Sequence, residues 1–304
     1  MKDAKLVHAA RTLRTDRIHG AMELAARAID LATELVSGDP AADIHHVALA
    51  LATARPSMAA IANAVALHLV PVAAEVASRA ALREQAVVTK ERWAADAMRL
   101  AEAVKRHIPE VILTYSNSSS TRNTLLTLKD RLRSVIVPEG RPINDGRLLA
   151  TTLAAAGIPV TVVTEGQMGW WVRQVEAIVV GADTVAPDGA VYNHMGTATL
   201  ALVAREHAIP VYSLTHTLKV APYDRPDDMR EENDPAEVWA DPPSGITVRN
   251  PTFDRTPASQ ITVLTERGIL DDALRAVVVA EHRVAWETLG LDTQYRGMTE
   301  GERR

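Results

Sequence analysis

Two regimes of apolar spacing divide the chain. Up to about His107 the apolar positions recur at helical intervals, as in Ala21, Met22, Leu24, Ala25, Ile29 and Leu31, and again in Ile61, Val65, Leu67 and Leu69. Gly38-Asp39-Pro40 and Val70-Pro71 read as breaks between helices. The alanine-rich faces allow helices to approach closely but give small side chains to bury. A multi-helix bundle that leans on the rest of the chain or on a partner is therefore expected.

From Ile108-Pro109 the apolar runs become short, continuous and bounded by turns. Strands are predicted at Val111 to Thr114, Ser134 to Glu139, Pro159 to Thr164, Ile178 to Val180 and Pro210 to Leu214. Helical segments near Asn117 to Leu128, Arg147 to Ala150, Met168 to Val175 and Gly196 to His207 separate them. Runs without polar alternation indicate strands buried on both faces. Strands alternating with helices predict right-handed crossovers and a mainly parallel sheet. The expected fold class is α/β, with an N-terminal helical domain over residues 1–107 and a mainly parallel-sheet domain over 108–304.

After Val220 the pattern weakens. Residues 221–245 are rich in proline and acidic side chains, which suits a functional loop or an arm across another subunit better than a piece of core. Ile246 to Val248 and Ile261 to Leu264 are read as late strands or strand-like segments around Phe253 to Pro257, and Asp271 to Trp286 as a closing helix. The polar GMTEGERR end is expected to fray.

Composition narrows the chemistry. The 304 residues contain no cysteine, which excludes disulfides, thiolate metal sites and cysteine nucleophiles. A formal net charge of -5 predicts no broad nucleic-acid surface. No apolar stretch is long enough to cross a bilayer, and the first twenty residues have no apolar signal region, so a cytoplasmic protein without membrane contact is expected. His45-His46 near Asp43 lacks supporting ligand spacing. No metal and no cofactor are expected. There is neither a GxGxxG after the first strand nor a GxxxxGK[ST], which disfavours a dinucleotide enzyme and a P-loop NTPase.

Ligands of open parallel sheets bind outside the carboxyl ends of the strands. There the chain places Asp183, directly after the Ile178 to Val180 run, followed by Asn193, His194, Gly196, Thr197 and later His216. A partly buried Asp183 could exchange a proton with substrate, or fix a turn. Gly196 and Thr197 open a predicted helix and could hold hydroxyl or phosphate oxygens. The hydroxyl-rich turn with Ser118, Ser119 and Thr121 begins another helix and is the clearest oxyanion candidate, ordinary capping being the alternative. Arg122 and Arg141 could supply charge-assisted contacts to phosphate. Arg55 either pairs across a domain boundary or reaches an anion, and Arg17-Ile18-His19-Gly20 suits a tight turn near a ligand.

The motifs RIHGA, ATARPS, ILTYSNSSST, PEGRPINDG, GIPVTVVTE, GADTVAPDGAVYNHMGT and FDRTP follow one another over most of the chain. In this combination the chain resembles the superfamily of initiation factor 2B alpha, beta and delta regulatory subunits. That superfamily also holds methylthioribose-1-phosphate isomerase and archaeal ribose-1,5-bisphosphate isomerase. The resemblance implies a Rossmann-like second domain that dimerises, and a pocket between the domains for a phosphorylated sugar or a nucleoside monophosphate. It implies a catalytic role for Asp183, which matches the aspartate of the isomerases. Ser116 falls where they carry a cysteine, and Asn193-His194 where they carry asparagine and lysine. Two expectations result: a sugar-phosphate isomerase with altered catalytic groups, or a non-catalytic metabolite-binding regulatory subunit.

Overall fold

A computed structural model describes residues 2–223 and 231–293. The predicted fraying at GMTEGERR and part of the 221–245 stretch lie outside these residues. Five helices come first: α1 (Lys2–Thr15), α2 (Ala21–Ser37), α3 (Ile44–Ala52), α4 (Ala59–Ala73) and α5 (Leu82–Val104). Asp43 starts α3 by accepting the backbone N–H of His45 and His46, which accounts for the carboxylate beside that histidine pair. Pro71, read from sequence as a break, lies inside α4. In the last turn its missing N–H costs one hydrogen bond, and the helix ends two residues later at Ala73.

The main sheet has seven strands. They are β1 (Val111–Tyr115), β2 (Ser134–Pro138), β3 (Val160–Val163), β4 (Ala177–Val180), β7 (Val211–Leu214), β9 (Thr262–Thr265) and β10 (Gly268–Ile269). Their spatial order is β10-β9-β7-β4-β1-β2-β3, all parallel except the antiparallel edge strand β10. Neighbouring residues point to opposite faces: Ile112 and Val179 join one apolar layer, Leu113 and Ile178 the other. Helices cover both faces, so the strands carry no polar alternation. They are α6 (Ser119–Thr127), α7 (Asp145–Ala155), the single-turn α8 (Met168–Trp171), α9 (Thr197–Glu206) and α10 (Asp272–Thr288).

This is a doubly wound sheet whose strand order reverses between β1 and β4. A crevice opens there at the carboxyl ends. The stretch after β4, for which the sequence predicts no strand, is structured. β5 (Thr184–Val185), β6 (Val191–His194) and β8 (Phe253–Thr256) form a separate antiparallel sheet over the crevice. Residues 246–248, expected as strand, form none, and Ile246 is exposed. They lack a partner strand, whereas Phe253 to Thr256 pair with β6 in register.

The helical region shares its core with the end of the chain: Leu218, Phe253, Trp286 and Leu289 are buried in the same cluster as Leu24, Leu51, Ile61 and Leu69. Thr184 pins the two parts beneath the crevice, accepting the Ala59 N–H at 2.9 Å and donating to the Ser57 carbonyl at 2.8 Å.

Candidate functional site

The crevice is built first by a close approach. α6 starts directly above the end of β4, and a Cβ on Gly181 would collide with the side chain of Ser118. Only glycine lets strand end and helix start meet there. Ser118 makes no capping hydrogen bond, and among the described residues neither its hydroxyl nor that of the fully buried Thr121 has a hydrogen-bond partner. The N–H groups of Ser119, Ser120 and Thr121 donate to no described residue. By contrast, the N–H groups of Gly196 and Ala198, at the start of α9, are held by the Asp254 carboxylate at 2.7 and 3.0 Å. α6 thus presents open donors and the positive end of its dipole to the crevice. Ser116, between β1 and α6, takes a left-handed backbone with φ 68°.

Asp183 follows β4, its own N–H tied to the Tyr192 carbonyl at 2.9 Å. Burial pushes its carboxyl up, against the opposing charges of Lys219 and Arg55. Lys219 is 2% exposed and donates to the Ala182 carbonyl at 2.6 Å. Burial pulls its ammonium down, and the Asp183 carboxylate is the larger of the two charges that act to raise it. Lys219 is fixed by Asn63, a fully buried residue of α4. The Asn63 amide donates to the carbonyls of Leu218 at 2.7 Å and Val220 at 2.9 Å, and its oxygen accepts the Trp286 indole N–H at 2.8 Å.

β6 carries Asn193 and His194 to the same rim. Asn193 donates to the Thr197 hydroxyl at 3.0 Å, and that hydroxyl donates to the His194 carbonyl at 2.7 Å. His194 stacks edge-on with Tyr115 at 5.0 Å, and the Tyr115 hydroxyl donates to the Met195 carbonyl at 2.8 Å. Burial, with the carboxylates of Glu165, Asp145 and Asp254 around it, pushes that phenol well above its ordinary value, so it remains a donor. Tyr115, His194, Arg17 and Arg141 line an open cavity of about 310 Å³ together with Asn233, Val238 and Thr252. The side chain of Arg141 is exposed, and its guanidinium touches the Val238 carbonyl at 3.3 Å.

Arg55 takes the pairing alternative. Its guanidinium grips both oxygens of Glu231, at 3.0 and 2.9 Å, and also donates to the Asp16 carbonyl at 2.7 Å. Arg17 adds a contact to Glu231 at 2.9 Å and Ser57 another at 2.5 Å. Burial acts to raise the Glu231 carboxyl, but the bonds and charge of Arg55, with Ser57 and Arg17, hold it below the usual range.

Of the residues singled out from sequence, Ser116, Ser118 and Asp183 thus stand at the β1 and β4 ends. Asn193, Thr197 and His194 are joined by hydrogen bonds along one rim beside Gly196, and Arg141 lines the same cavity as His194. Gly196 spends its N–H on Asp254. Lys219, Glu231, Asp145 and Asn63 went unnoticed; the GAD strand end signalled Asp183, but no local pattern signals them. His216 sits away from this group, donating from Nε2 toward Asp96 at 3.2 Å while its Nδ1 accepts the Leu218 N–H. Among the described residues no group of three or more His, Cys, Asp or Glu could hold a metal ion. No helix of the described residues is long and apolar enough to cross a membrane.

The sequence and fold of this chain have known relatives. The chain is 28% identical over 297 residues to ribose 1,5-bisphosphate isomerase of Archaeoglobus fulgidus, a match over 91% of this chain and 93% of that protein. It is 34% identical over 168 residues to ribose 1,5-bisphosphate isomerase of Methanocaldococcus jannaschii, where the match spans 53% of this chain and 54% of the relative. The crystal structure of Pyrococcus horikoshii OT3 translation initiation factor eIF-2B superposes with a TM-score of 0.74 at 30% identity, over 87% of this chain and 96% of that one. Residues 7–272 match one family throughout, and the chain belongs to the Initiation factor 2 subunit family.

Proposed function

We infer that the chain binds a phosphorylated sugar in the β1–β4 crevice and isomerises a 1-phosphorylated pentose from aldose to ketose, as the name of its ribose 1,5-bisphosphate isomerase relatives suggests. The observation that carries this reading is one juxtaposition. The uncapped start of α6, with the partnerless hydroxyls of Ser118 and Thr121, lies against Gly181, two residues before an Asp183 whose carboxyl burial has raised. The first suits an anion, and the second is a carboxyl that burial makes readier to hold and donate a proton.

In this reading the α6 N–H groups, Ser118 and Arg141 hold the phosphate on C1. Protonated Asp183 gives its proton to the ring oxygen as the bond from C1 to that oxygen breaks. A hydride then passes from C2 to the electron-deficient C1 while the C2 hydroxyl, becoming the ketone, returns a proton to Asp183, so atoms and electrons balance. Lys219 stabilises the carboxylate that forms between the two proton transfers. Asn193, His194 and Thr197 orient sugar hydroxyls. Ser116 acts as a hydrogen-bonding group; a serine hydroxyl without an adjacent base is a poor nucleophile.

One observation favours a second reading, a non-catalytic metabolite-binding regulatory subunit. The Ser116 hydroxyl bonds to no described residue, and the family resemblance implies that the isomerases carry a cysteine at this position. Binding separates both readings from no function at this site. Titration with ribose 1,5-bisphosphate and methylthioribose 1-phosphate should show saturable binding, weakened about tenfold or more in Arg141→Ala through loss of a charge-assisted contact. An absence of binding across phosphorylated pentoses and nucleoside monophosphates would refute both. A homodimer formed through the sheet domain, a division at residues 107 and 108, and a cytoplasmic setting belong to this proposal. A monomeric mass at working concentration would contradict the dimer.

A further inference from the structure

Two guanidinium groups and a hydroxyl that converge on one point are a recognition site for an oxyanion, and here a side chain of the same protein fills it. Glu231 receives four hydrogen bonds from Arg17, Arg55 and Ser57, all between 2.5 and 3.0 Å. Arg55 and Ser57 are each 6% exposed, so these two members of the cradle are built into the fold beneath the crevice. It is also electrically joined to the centre of the site, since Arg55 and Glu231 both act on the Asp183 carboxyl, in opposite directions.

The fit of this occupant is incomplete. A carboxylate brings a single negative charge and two oxygens to two arginines, whereas a phosphate dianion brings two charges and three oxygens in a tetrahedral array. Glu231 also holds a left-handed backbone, with φ 58°, which a non-glycine residue adopts at a cost. Its backbone carbonyl accepts the Thr252 N–H at 2.8 Å, and the Thr252 carbonyl accepts the Met195 N–H at 2.7 Å. Met195 in turn receives the Tyr115 hydroxyl. The cradle is thereby linked through three residues to the cavity that Tyr115 and His194 line.

We propose that Glu231 is the specificity-determining residue of this cradle: it occupies the seat of an anionic ligand group, so that a phosphate dianion displaces it and weaker anions do not. This rests on the sugar-phosphate reading above for the identity of the natural ligand, but not for the competition itself. When phosphate enters, the Glu231–Thr252–Met195 connection loosens and reports occupancy to the cavity.

The test titrates inorganic phosphate into the full chain and into Glu231→Gln. The variant should bind phosphate roughly tenfold or more tightly, because the internal competitor is neutralised, and adding Arg55→Met should abolish the gain. Equal or weaker binding by Glu231→Gln would overturn the proposal. A second measurement uses the unaltered protein: phosphate should accelerate amide exchange at Thr252, and exchange that is unchanged or slowed would also overturn it. Ribose 1,5-bisphosphate separates the two levels of the account. Tighter phosphate binding by the variant with no sugar-phosphate binding by either protein keeps the competition and removes the function. Sugar-phosphate binding that is equal in both proteins removes the competition and keeps the function.

Discussion

Asp183 and Lys219 decide what the crevice can do. Each is taken partly out of water, and each carries a charge that burial disfavours and the other one favours. Replacing Lys219 by methionine removes the largest influence holding the Asp183 carboxyl down. Because the reaction starts from protonated Asp183, activity falls as that proton is lost, so the high-pH limb of the activity profile should then move to higher pH, while an unmoved profile would separate Lys219 from Asp183. Asn63 acts one step further out. Asn63→Leu removes the bonds of the Leu218 carbonyl and the Trp286 N–H to Asn63 in the interior, at about 1–3 kcal/mol each, so denaturant unfolding should show a loss of roughly 2–6 kcal/mol. Asp183 was legible because a carboxylate ending an apolar run has few other reasons to be there. Lys219 was not, since TLKVAP reads as an ordinary surface lysine. Its burial is produced by Asn63, which holds the neighbouring Leu218 carbonyl from 155 positions earlier, and by a closing helix further on.

At the scale of elements, the site exists because α6 begins where β4 ends. Gly181→Ala would set a Cβ against Ser118 and force the helix start away. The expected result is a loss of about 1–3 kcal/mol in stability together with weaker phosphate binding, read by paired unfolding and titration experiments. Full stability with unchanged binding would show that the contact is not needed. The strands and helices of the main sheet were legible because runs such as Ile178 to Val180 are buried on both faces and keep one polarity throughout. The second sheet was hidden. β5 has two residues and β6 and β8 four each, and β8 joins β6 from some sixty positions away. Pro71 misled for a local reason: it resembles a helix end because it lies within three residues of one.

At the scale of the whole molecule, the helical region and the end of the chain share a core that includes two buried histidines. Burial lowers His68 and His282 to about 4. The Thr33 hydroxyl proton goes to the Ile29 carbonyl at 2.7 Å, so His68 donates from Nε2 to the Thr33 oxygen, also at 2.7 Å. His282 donates from Nδ1 to the Val220 carbonyl at 2.8 Å. Both therefore sit neutral in the fold. An unfolded chain protonates them near pH 6.5, whereas the folded chain does so only near 4. Their contribution to stability is complete above about pH 6.5 and is lost as the pH falls from there toward 4, on the order of 3 kcal/mol for each. Urea midpoints should fall steadily between pH 7 and 4.5, and a flat profile over that range would contradict the neutral burial of the pair.

The central claim, that the crevice isomerises a 1-phosphorylated pentose through Asp183, is tested most directly by following ribose 1,5-bisphosphate and methylthioribose 1-phosphate by NMR with wild-type protein and with Asp183→Asn. The account predicts that the ketose appears from one of them with the wild type and not with the variant. Substrate bound by both proteins without any ketose, or ketose formed equally by both, would contradict it.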